Sequence, residues 1–219
     1  MCGRFALYTS LPYIKKFFRI DVVRGDFIAS YNIAPTHEVA VIINRRLGRI
    51  RWGLVPSWSK DLSGTSSLIN IRAETLTDKP GFKNLLKRKR CAIIADGFYE
   101  WKKLNNLKQP YYITLATGSP FAFAGLWDTW KSPGGESYHT CAIITTSASR
   151  QVSEIHSRMP VILKPDAADA WLDTEAEDTI RLASILHEGH EKAFSIRPVS
   201  KYVNSPGNND EKCLEEDES

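Results

Sequence analysis

The second residue carries the most distinctive chemistry in this sequence. The small side chain of Cys2 allows an aminopeptidase to remove Met1, which would leave a free α-amine beside the thiol. The amine of such a 1,2-aminothiol condenses with an aldehyde to an imine, and the thiol then closes a thiazolidine ring on the same carbon. Because this closure is intramolecular, its effective molarity reaches about 10⁵ M or more. A cysteine that simply packs is the alternative, and the first five residues alone favour it.

Three polar side chains in apolar surroundings are further candidates for chemistry. Asn70 opens a run of apolar and charged residues, Glu100 lies between two aromatic residues of a predicted strand, and His156 follows a short predicted helix. A carboxyl group among aromatic side chains is a candidate for a raised pKa and for acid–base catalysis. A plain salt bridge is the alternative for Glu100. For His156 the alternative is an incidental position in a loop, although loops are also where functional side chains concentrate.

Composition is typical of a soluble globular protein. The chain has 219 residues, of which 42% are hydrophobic and 25% charged, and this length can bury the core of one domain. No stretch approaches the roughly 18–20 apolar residues of a membrane span, and no signal peptide is evident. The four cysteines form no CxxC pair, which favours a reducing cytosol over a disulfide scaffold or a zinc ribbon. We therefore expect a cytoplasmic protein without membrane association.

Charge is distributed unevenly along the chain. The formal net charge is +4 at pH 7, yet residues 211–219 are strongly acidic, so the remainder is more basic than the total suggests. A basic body permits a polyanionic partner without demonstrating one. We expect one domain over residues 1–205 and an acidic, flexible tail over residues 206–219, with no repeat or internal linker.

Hydrophobic periodicity predicts short strands that alternate with helices. The predicted strands cover residues 39–43, 49–55, 91–95, 97–102, 111–116, 121–127, 138–146, 161–163 and 194–199. Ser10 caps the first predicted helix, and further helices cover residues 82–90, 149–155, 165–172 and 176–187. We expect the first two of these strands to form a hairpin and the later ones an antiparallel series.

Two basic regions suit a nucleic acid. The helix over residues 82–90 places Lys83, Lys87, Arg88, Lys89 and Arg90 in or near solvent, which fits either a solvated face or phosphate contacts. Trp52 and Trp58 lie among basic residues and can stack bases, at about 1–3 kcal/mol for each base. Buried structural tryptophans are at least as well supported by the pattern.

The chain lacks the sequence motifs of several standard chemistries. His187 and His190 form an HxxH pair that lacks the glutamate of a zincin and straddles a predicted helix end, so we expect no metal site. There is no GxGxxG, no GxxxxGK[ST] and no GxSxG. We therefore expect neither a dinucleotide cofactor nor a P-loop nor a serine hydrolase elbow.

Six motifs in order resemble the SOS-response-associated peptidase (SRAP) family, whose members process abasic sites. They are Cys-Gly-Arg-Phe at residues 2–5, Tyr-Asn-Ile-Ala-Pro at 31–35, Arg-Trp-Gly-Leu at 51–54, Asn-Ile-Arg-Ala-Glu at 70–74, Ala-Asp-Gly-Phe-Tyr-Glu-Trp at 95–101 and Ile-His-Ser-Arg-Met-Pro at 155–160. Ile71 stands where a small residue is expected, and the acidic tail with Cys213 lies outside the resemblance. The resemblance implies a single α+β domain with a curved, barrel-like antiparallel β core flanked by helices, and a basic groove for single-stranded DNA.

The resemblance also implies a role for each site residue. Mature Cys2 would form a thiazolidine with the ring-opened aldehyde of an abasic site, Asn70 would position the opened sugar, Glu100 would shuttle protons at the Cys2 amine, and His156 would assist ring opening. The implied DNA-binding residues hold phosphates or stack and wedge beside the lesion: Arg4, Asn32, Pro35, Trp58, Arg72 and Arg158.

The resulting hypothesis is a monomeric protein, nucleoid-associated if bacterial, that caps abasic sites in single-stranded DNA during the response to DNA damage. The imine intermediate also permits a lyase side reaction, and the family name implies self-cleavage before Cys2. Two alternatives stay open. A cysteine peptidase with a Cys2–His156 pair predicts peptide turnover and no DNA adduct. A non-catalytic single-strand binder predicts salt-sensitive binding that ignores the lesion.

Overall fold

Two β-sheets account for most of the structure, a computed structural model that describes residues 2–59, 61, 68–105, 107–173, 182, 184–186 and 193–217. The strands of the described residues are β1 (Phe5–Leu7), β2 (Val22–Val23), β3 (Ser30–Ile33), β4 (Glu38–Ile43), β5 (Arg46–Trp52), β6 (Asn70–Arg72), β7 (Arg90–Ala95), β8 (Gly97–Leu104), β9 (Leu107–Leu115), β10 (Phe121–Lys131), β11 (Ser137–Ser147), β12 (Arg158–Pro160), β13 (Ile162–Leu163) and β14 (Phe194–Pro198). Their helices are α1 (Leu11–Phe17), α2 (Pro80–Arg88), α3 (Arg150–Ser153) and α4 (Pro165–Leu172). The fold is α+β, as the sequence predicted.

A closed barrel forms the larger sheet. Its strands follow the order β11-β10-β7-β4-β5, and β5 pairs back with β11 to close the ring. The barrel-like β core predicted from the sequence is confirmed, but the closing pair is parallel, at Thr140–Arg51 and Cys141–Trp52, so the barrel is mixed. Parallel closure is possible because β5 and β11 are far apart in sequence and no hairpin turn constrains their direction. Side chains of the apolar strands fill the interior.

The second sheet places the N-terminal strand next to the strand that carries Glu100. Its order is β14-β9-β8-β1-β3, and β1 pairs antiparallel with β8 at Phe5–Phe98 and Ala6–Gly97. A Cβ at Gly97 would lie 2.4 Å from the ring of Tyr112, so only glycine fits here. This close approach allows the tyrosine to pack beneath the junction of β1 and β8.

The helices lie near their predicted positions, but Ser10, the predicted cap of α1, makes no side-chain cap hydrogen bond. Proline stands in the first turn of α1, α2 and α4, where its missing N–H costs no hydrogen bond, and the Ser149 side chain caps α3. The helix predicted over residues 176–187 lies mostly outside the described residues. No helix of the described residues is long and apolar enough to span a membrane.

Arg90 corrects one expectation. The sequence placed this residue on the solvated face of the basic helix, but α2 ends at Arg88 and Arg90 begins β7 with 3% of its surface exposed. Its guanidinium donates hydrogen bonds to four backbone carbonyl oxygens: those of Leu86, Lys87, Trp171 and Asp173. Carbonyl oxygens at the ends of α2 and α4 therefore stabilise the buried positive charge. A helical pattern in the sequence does not reveal these contacts.

The acidic C-terminal residues also differ from the expectation of a flexible tail. Residues 206–217 pack against the body, with a 3-10 helix at Glu211–Leu214 and a bridge between Val199 and Glu216. Cys213 is fully buried in a small cluster with Tyr99 and Val203. Burial of this side chain, together with hydrogen bonds such as that from Asn32 Nδ2 to Asn208 O, holds the segment against the body.

Candidate active site

Cys2 lies in the interior, three residues before the start of β1. Its side chain is fully buried, and the thiol lies 3.8 Å from the carbonyl oxygen of Arg4, to which it donates a long hydrogen bond. Burial raises the pKa of the Cys2 thiol, and the negative charge of Glu100 raises it further. The sulfur is therefore a neutral thiol near neutral pH.

Asn70 holds the backbone of Cys2. The Nδ2 of Asn70 donates a hydrogen bond of 2.8 Å to the carbonyl oxygen of Cys2. Asn70 begins β6, which pairs in parallel with β11 of the barrel from Ile143 onwards. The Oδ1 of Asn70 is buried and has no hydrogen-bond partner within the described residues, so it can accept a hydrogen bond from a bound molecule.

Glu100 is a buried carboxyl group beside Cys2. The hydrogen bond of 2.9 Å from Tyr99 N–H to Arg4 O continues the ladder between β1 and β8 towards Cys2. Burial raises the pKa of Glu100, while the positive charges of the chain's amino terminus and of His156 act in the opposite direction. A raised pKa allows this carboxyl group to exchange protons closer to neutral pH than an ordinary glutamate does.

His156 is held by the backbone of Arg158, two residues further on. The N–H of Arg158 lies 3.0 Å from Nδ1 of the ring, and the carbonyl oxygen of Arg158 lies 3.1 Å from the same atom. A neutral ring can accept the N–H at Nδ1, and a protonated ring can donate there to the carbonyl. Both protonation states therefore have a partner at Nδ1, an arrangement suited to acid–base chemistry.

An ion pair connects the loop of His156 with the strand of Asn70. Arg158 Nη1 and Nη2 donate to the two carboxylate oxygens of Glu74 at 2.6 and 2.9 Å, and Nη2 also donates to Thr145 O at 2.7 Å. The Arg158 guanidinium lowers the pKa of Glu74. Because Glu74 lies in the 3-10 turn Ala73–Thr75 that follows β6, this bidentate pair joins the two elements that carry the site.

The structure thus gathers the four predicted catalytic residues into one cluster. Cys2 is hydrogen bonded to Asn70 and interacts electrostatically with Glu100, which in turn interacts with His156. Among the residues with described positions, no group of three or more His, Cys, Asp or Glu side chains could hold a metal ion. The catalytic roles stay predictions, whereas the proximity is observed.

Three of the predicted DNA-binding side chains form hydrogen bonds within the protein. Arg4 Nη1 donates to Asn32 Oδ1 at 2.6 Å and to Val203 O at 2.8 Å. Asn32 has 1% of its surface exposed, and its Nδ2 lies within hydrogen-bond distance of three carbonyl oxygens, those of Val203, Ser205 and Asn208. Both side chains therefore join the N-terminal strands to the C-terminal segment. The guanidinium of Arg158 is likewise engaged by Glu74, with 15% of its side chain exposed.

The other predicted DNA-binding residues lie nearer to solvent. Trp58 has 79% of its surface exposed, Arg72 is exposed on β6, and Pro35 is half-buried after β3. Trp58 stands beside a largely apolar groove of about 620 Å³, which Leu54, Leu68, Phe82 and other residues line. Trp52, the other tryptophan considered for stacking, is fully buried and donates a hydrogen bond to Ile69 O.

Sequence reasoning missed Glu74 and Asn209 as partners of the site. Glu74 belongs to a motif that the sequence analysis quoted, but its ion pair spans 84 positions of the chain. Asn209 lies in the segment expected to be flexible, and its Oδ1 accepts three hydrogen bonds from β3. Only the density of polar residues near the end of the chain hinted at such a role.

The closed mixed barrel, with a buried thiol and carboxyl group beside a half-buried amide and imidazole, defines an α+β protein whose candidate reactive centre lies next to the N-terminal strand. The chain belongs to the SOS response associated peptidase (SRAP) family, whose model matches residues 1–206. It is 43% identical to the abasic site processing protein YoqW of Bacillus subtilis, over 98% of this chain and 99% of that protein. It is 35% identical to the abasic site processing protein HMCES of Gallus gallus, over 87% of this chain and 67% of that protein.

Solved structures share the fold. A crystal structure of a protein from Bacteroides thetaiotaomicron matches with a TM-score of 0.86 and 24% identity, over 99% of this chain and 100% of that chain. At that identity the likeness concerns the architecture alone. A phage-related protein from Bordetella bronchiseptica matches with a TM-score of 0.70 and 31% identity, over 90% of this chain and 94% of that chain.

Proposed function

We propose that this protein captures abasic sites in single-stranded DNA by forming a covalent bond through Cys2, once Met1 has been removed. Family membership and the names of the relatives support DNA with abasic sites as the substrate. The observation that carries the chemistry is the buried Cys2 thiol beside Glu100, a carboxyl group whose pKa is raised. This pairing supplies a nucleophile and a proton carrier at the same point.

Sugar ring opening comes first in the proposed reaction. The closed hemiacetal of an abasic site must open before an aldehyde is present. His156 would give a proton to the ring oxygen, which becomes the 4′-hydroxyl, while the anomeric hydroxyl loses its proton to water and becomes the aldehyde. The buried acceptor Oδ1 of Asn70 would receive a hydrogen bond from a hydroxyl of the opened sugar.

The Cys2 amine then attacks before the Cys2 thiol. Burial keeps the sulfur protonated, whereas an α-amine titrates near pH 7.7–8.0 and is in part neutral at physiological pH. Addition of the amine to the aldehyde gives a carbinolamine. Protonated Glu100 would donate to its hydroxyl group, which leaves as water, and the imine forms.

Ring closure completes the capture. The imine nitrogen still carries its proton after the loss of water. The thiol sulfur bonds to the imine carbon, and the thiol proton passes to the Glu100 carboxylate that the previous step left, which restores the carboxylic acid. The product is a thiazolidine, and the overall change is protein plus DNA minus one water. The hydrogen bond from Asn70 to Cys2 O holds the backbone so that amine and thiol face one carbon.

The finer features of the proposal concern the DNA and side reactions. Exposed Trp58 and Arg72 would contact a single strand by stacking and by phosphate neutralisation. Because the imine makes the neighbouring position acidic, strand cleavage by β-elimination would occur when ring closure is slow. We further propose that the protein acts as a monomer in the response to DNA damage, and that Cys2 and Glu100 also support removal of Met1 by self-cleavage.

Intact mass spectrometry tests the proposal. The mass of the intact protein is measured before and after incubation with a single-stranded oligonucleotide that carries one abasic site. We expect loss of Met1 and a heat-stable adduct of protein plus DNA minus water. The adduct should be absent in Cys2→Ala and present in Cys91→Ala, the matched control at another buried cysteine.

Other outcomes would support the alternative functions. Peptide turnover without an adduct would favour a cysteine peptidase, although the negative charge of Glu100 opposes the thiolate that such an enzyme needs. Salt-sensitive DNA binding whose affinity changes neither with the abasic site nor with Cys2→Ala would favour a simple single-strand binder.

A further inference from the structure

We infer that the C-terminal segment of residues 203–213 is a positioning element for Cys2. It acts through a set of side chains that we call the C-terminal clamp, which comprises Arg4, Asn32 and Asn209. The consequence for catalysis rests on the proposed function, whereas the positioning itself does not.

Asn209 attaches the segment to β3. Its Oδ1 accepts hydrogen bonds from Tyr31 N at 2.7 Å, from Asn32 N at 3.0 Å and from Ser30 Oγ at 3.0 Å. One amide oxygen thus satisfies two backbone donors at the edge of the five-stranded sheet, where β3 is the last strand among the described residues. The segment therefore takes the place of a neighbouring strand at this point.

Asn32 links the C-terminal segment to Arg4. The Nδ2 of Asn32 lies 2.6 Å from Asn208 O and 2.9 Å from Ser205 O, so the amide is oriented from the C-terminal side. This orientation directs Oδ1 towards Arg4, whose Nη1 donates to it at 2.6 Å. Because Nη1 of Arg4 also donates to Val203 O, the guanidinium is held from two sides.

Arg4 in turn sets the position of Cys2. Its carbonyl oxygen accepts the backbone N–H of Tyr99 at 2.9 Å and lies 3.8 Å from the Cys2 thiol. Cys2 comes before a strand of only three residues, and chain ends fray unless they are tied down. The C-terminal clamp supplies that restraint. Asn209, and Asn208 whose carbonyl oxygen orients Asn32, lie beyond the residues matched by the family model.

This interpretation differs from a role in DNA binding for Arg4 and Asn32. A side chain that holds a phosphate contributes to affinity, whereas a clamp contributes to the rate at which bound substrate reacts. The two roles therefore predict opposite effects on binding and on reaction, and substitution of Asn209 separates them. Asn209 is an exposed residue, so Asn209→Ala does not open a core cavity.

Alkylation of buried cysteines measures the restraint without any DNA. The rates at Cys2 and Cys91, both fully buried, are followed by peptide mass spectrometry with iodoacetamide on the full chain. We expect Asn209→Ala to raise the rate at Cys2 by about fivefold or more, the change for one net hydrogen bond, and to leave Cys91 unchanged. The matched control Lys212→Ala, at an exposed side chain of the same segment, should change neither rate.

A parallel rise of the alkylation rate at both cysteines would mean general loosening and would overturn the inference, as would an unchanged rate at Cys2.

The second measurement uses single-stranded DNA with an abasic site. Asn209→Ala should slow crosslinking at saturating DNA by about tenfold without weakening affinity for DNA that carries an unreactive tetrahydrofuran site. Weakened affinity with an unchanged rate at saturation would overturn the clamp in favour of a DNA contact. If the wild-type protein forms no crosslink, the proposed function fails, and the alkylation rates still decide the positioning role.

Discussion

The side-chain amide of Asn70 donates a hydrogen bond of 2.8 Å to the carbonyl oxygen of Cys2. This bond crosses from β6, at the barrel, to the residue that precedes β1 in the other sheet. The two sheets therefore meet at the reactive residue, and its geometry depends on both. Substitutions on either side of this junction should change the chemistry more than the stability.

Asn70→Ala tests the junction directly. We expect the crosslinking rate to fall by about tenfold or more, because loss of the anchor misaligns the amine and thiol of Cys2. The rate is measured by single-turnover gel assay at saturating DNA. Asn84→Ala, at an exposed amide of α2, serves as the matched control and should react at the wild-type rate. Equal rates for Asn70→Ala and the wild type would show that the bond is dispensable.

Glu100→Gln should raise the stability of the protein at pH 8 and lower its crosslinking activity. Burial raises the pKa of Glu100 in the folded state, so the native protein binds the proton more tightly than the unfolded chain does. The stability of the wild type should therefore fall as pH rises from the ordinary glutamate pKa of 4.5 towards the raised value. Glutamine carries no such proton, so the variant should melt about 2–4 °C above the wild type at pH 8 and equal it near pH 4.

Crosslinking by Glu100→Gln should fall by about 10² or more, the usual contribution of a general acid or base. Thermal unfolding and single-turnover assays across pH 4–8 measure the two effects. Glu154→Gln, at an exposed glutamate, should change neither quantity. A variant that melts below the wild type at pH 8 would contradict the raised pKa.

Trp58→Ala tests the DNA surface. Because the side chain is 79% exposed, its loss should leave the melting temperature unchanged. Loss of one stacked base, about 1–3 kcal/mol, should weaken single-strand binding by about 5–150-fold. Fluorescence anisotropy with a labelled oligonucleotide measures the affinity. Ile28→Ala, at an apolar residue that is 85% exposed, should bind as the wild type does, and similar affinities for both variants would argue against stacking at Trp58.

Arg90→Lys tests the buried guanidinium that the sequence misplaced. A lysine ammonium cannot reach four carbonyl oxygens in the planar arrangement that Arg90 uses, so buried acceptors would lose their donors. We expect a loss of about 2–3 kcal/mol in the free energy of unfolding, measured by urea denaturation. Arg88→Lys, at an exposed position of α2, should be neutral. A neutral Arg90→Lys would mean that water replaces the lost contacts.

Local patterns in the sequence predicted much of the fold. Proline and serine mark the first turns of the helices, and runs of β-branched and aromatic residues mark β7, β10 and β11. Such signals act over a few neighbouring residues, so they are readable without a structure. The sequence also predicted an aminothiol at Cys2, because that chemistry depends only on the position of the residue in the chain. The grouping of Asn70, Glu100 and His156 around it came from resemblance rather than from spacing.

Tertiary contacts decided the rest. The parallel closure between β5 and β11, the bidentate pair of Arg158 with Glu74 and the hold of Asn209 on β3 join residues that are far apart in sequence. The Arg158 side chain looks solvent-exposed when only its neighbours in the chain are considered, yet 15% of it is exposed in the structure. Burial of a polar group is favourable only where distant partners complete its hydrogen bonds, and the folded chain alone determines those partners. The sequence by itself therefore identified Cys2 as the candidate for reaction, and the tertiary structure decided what holds this residue in place.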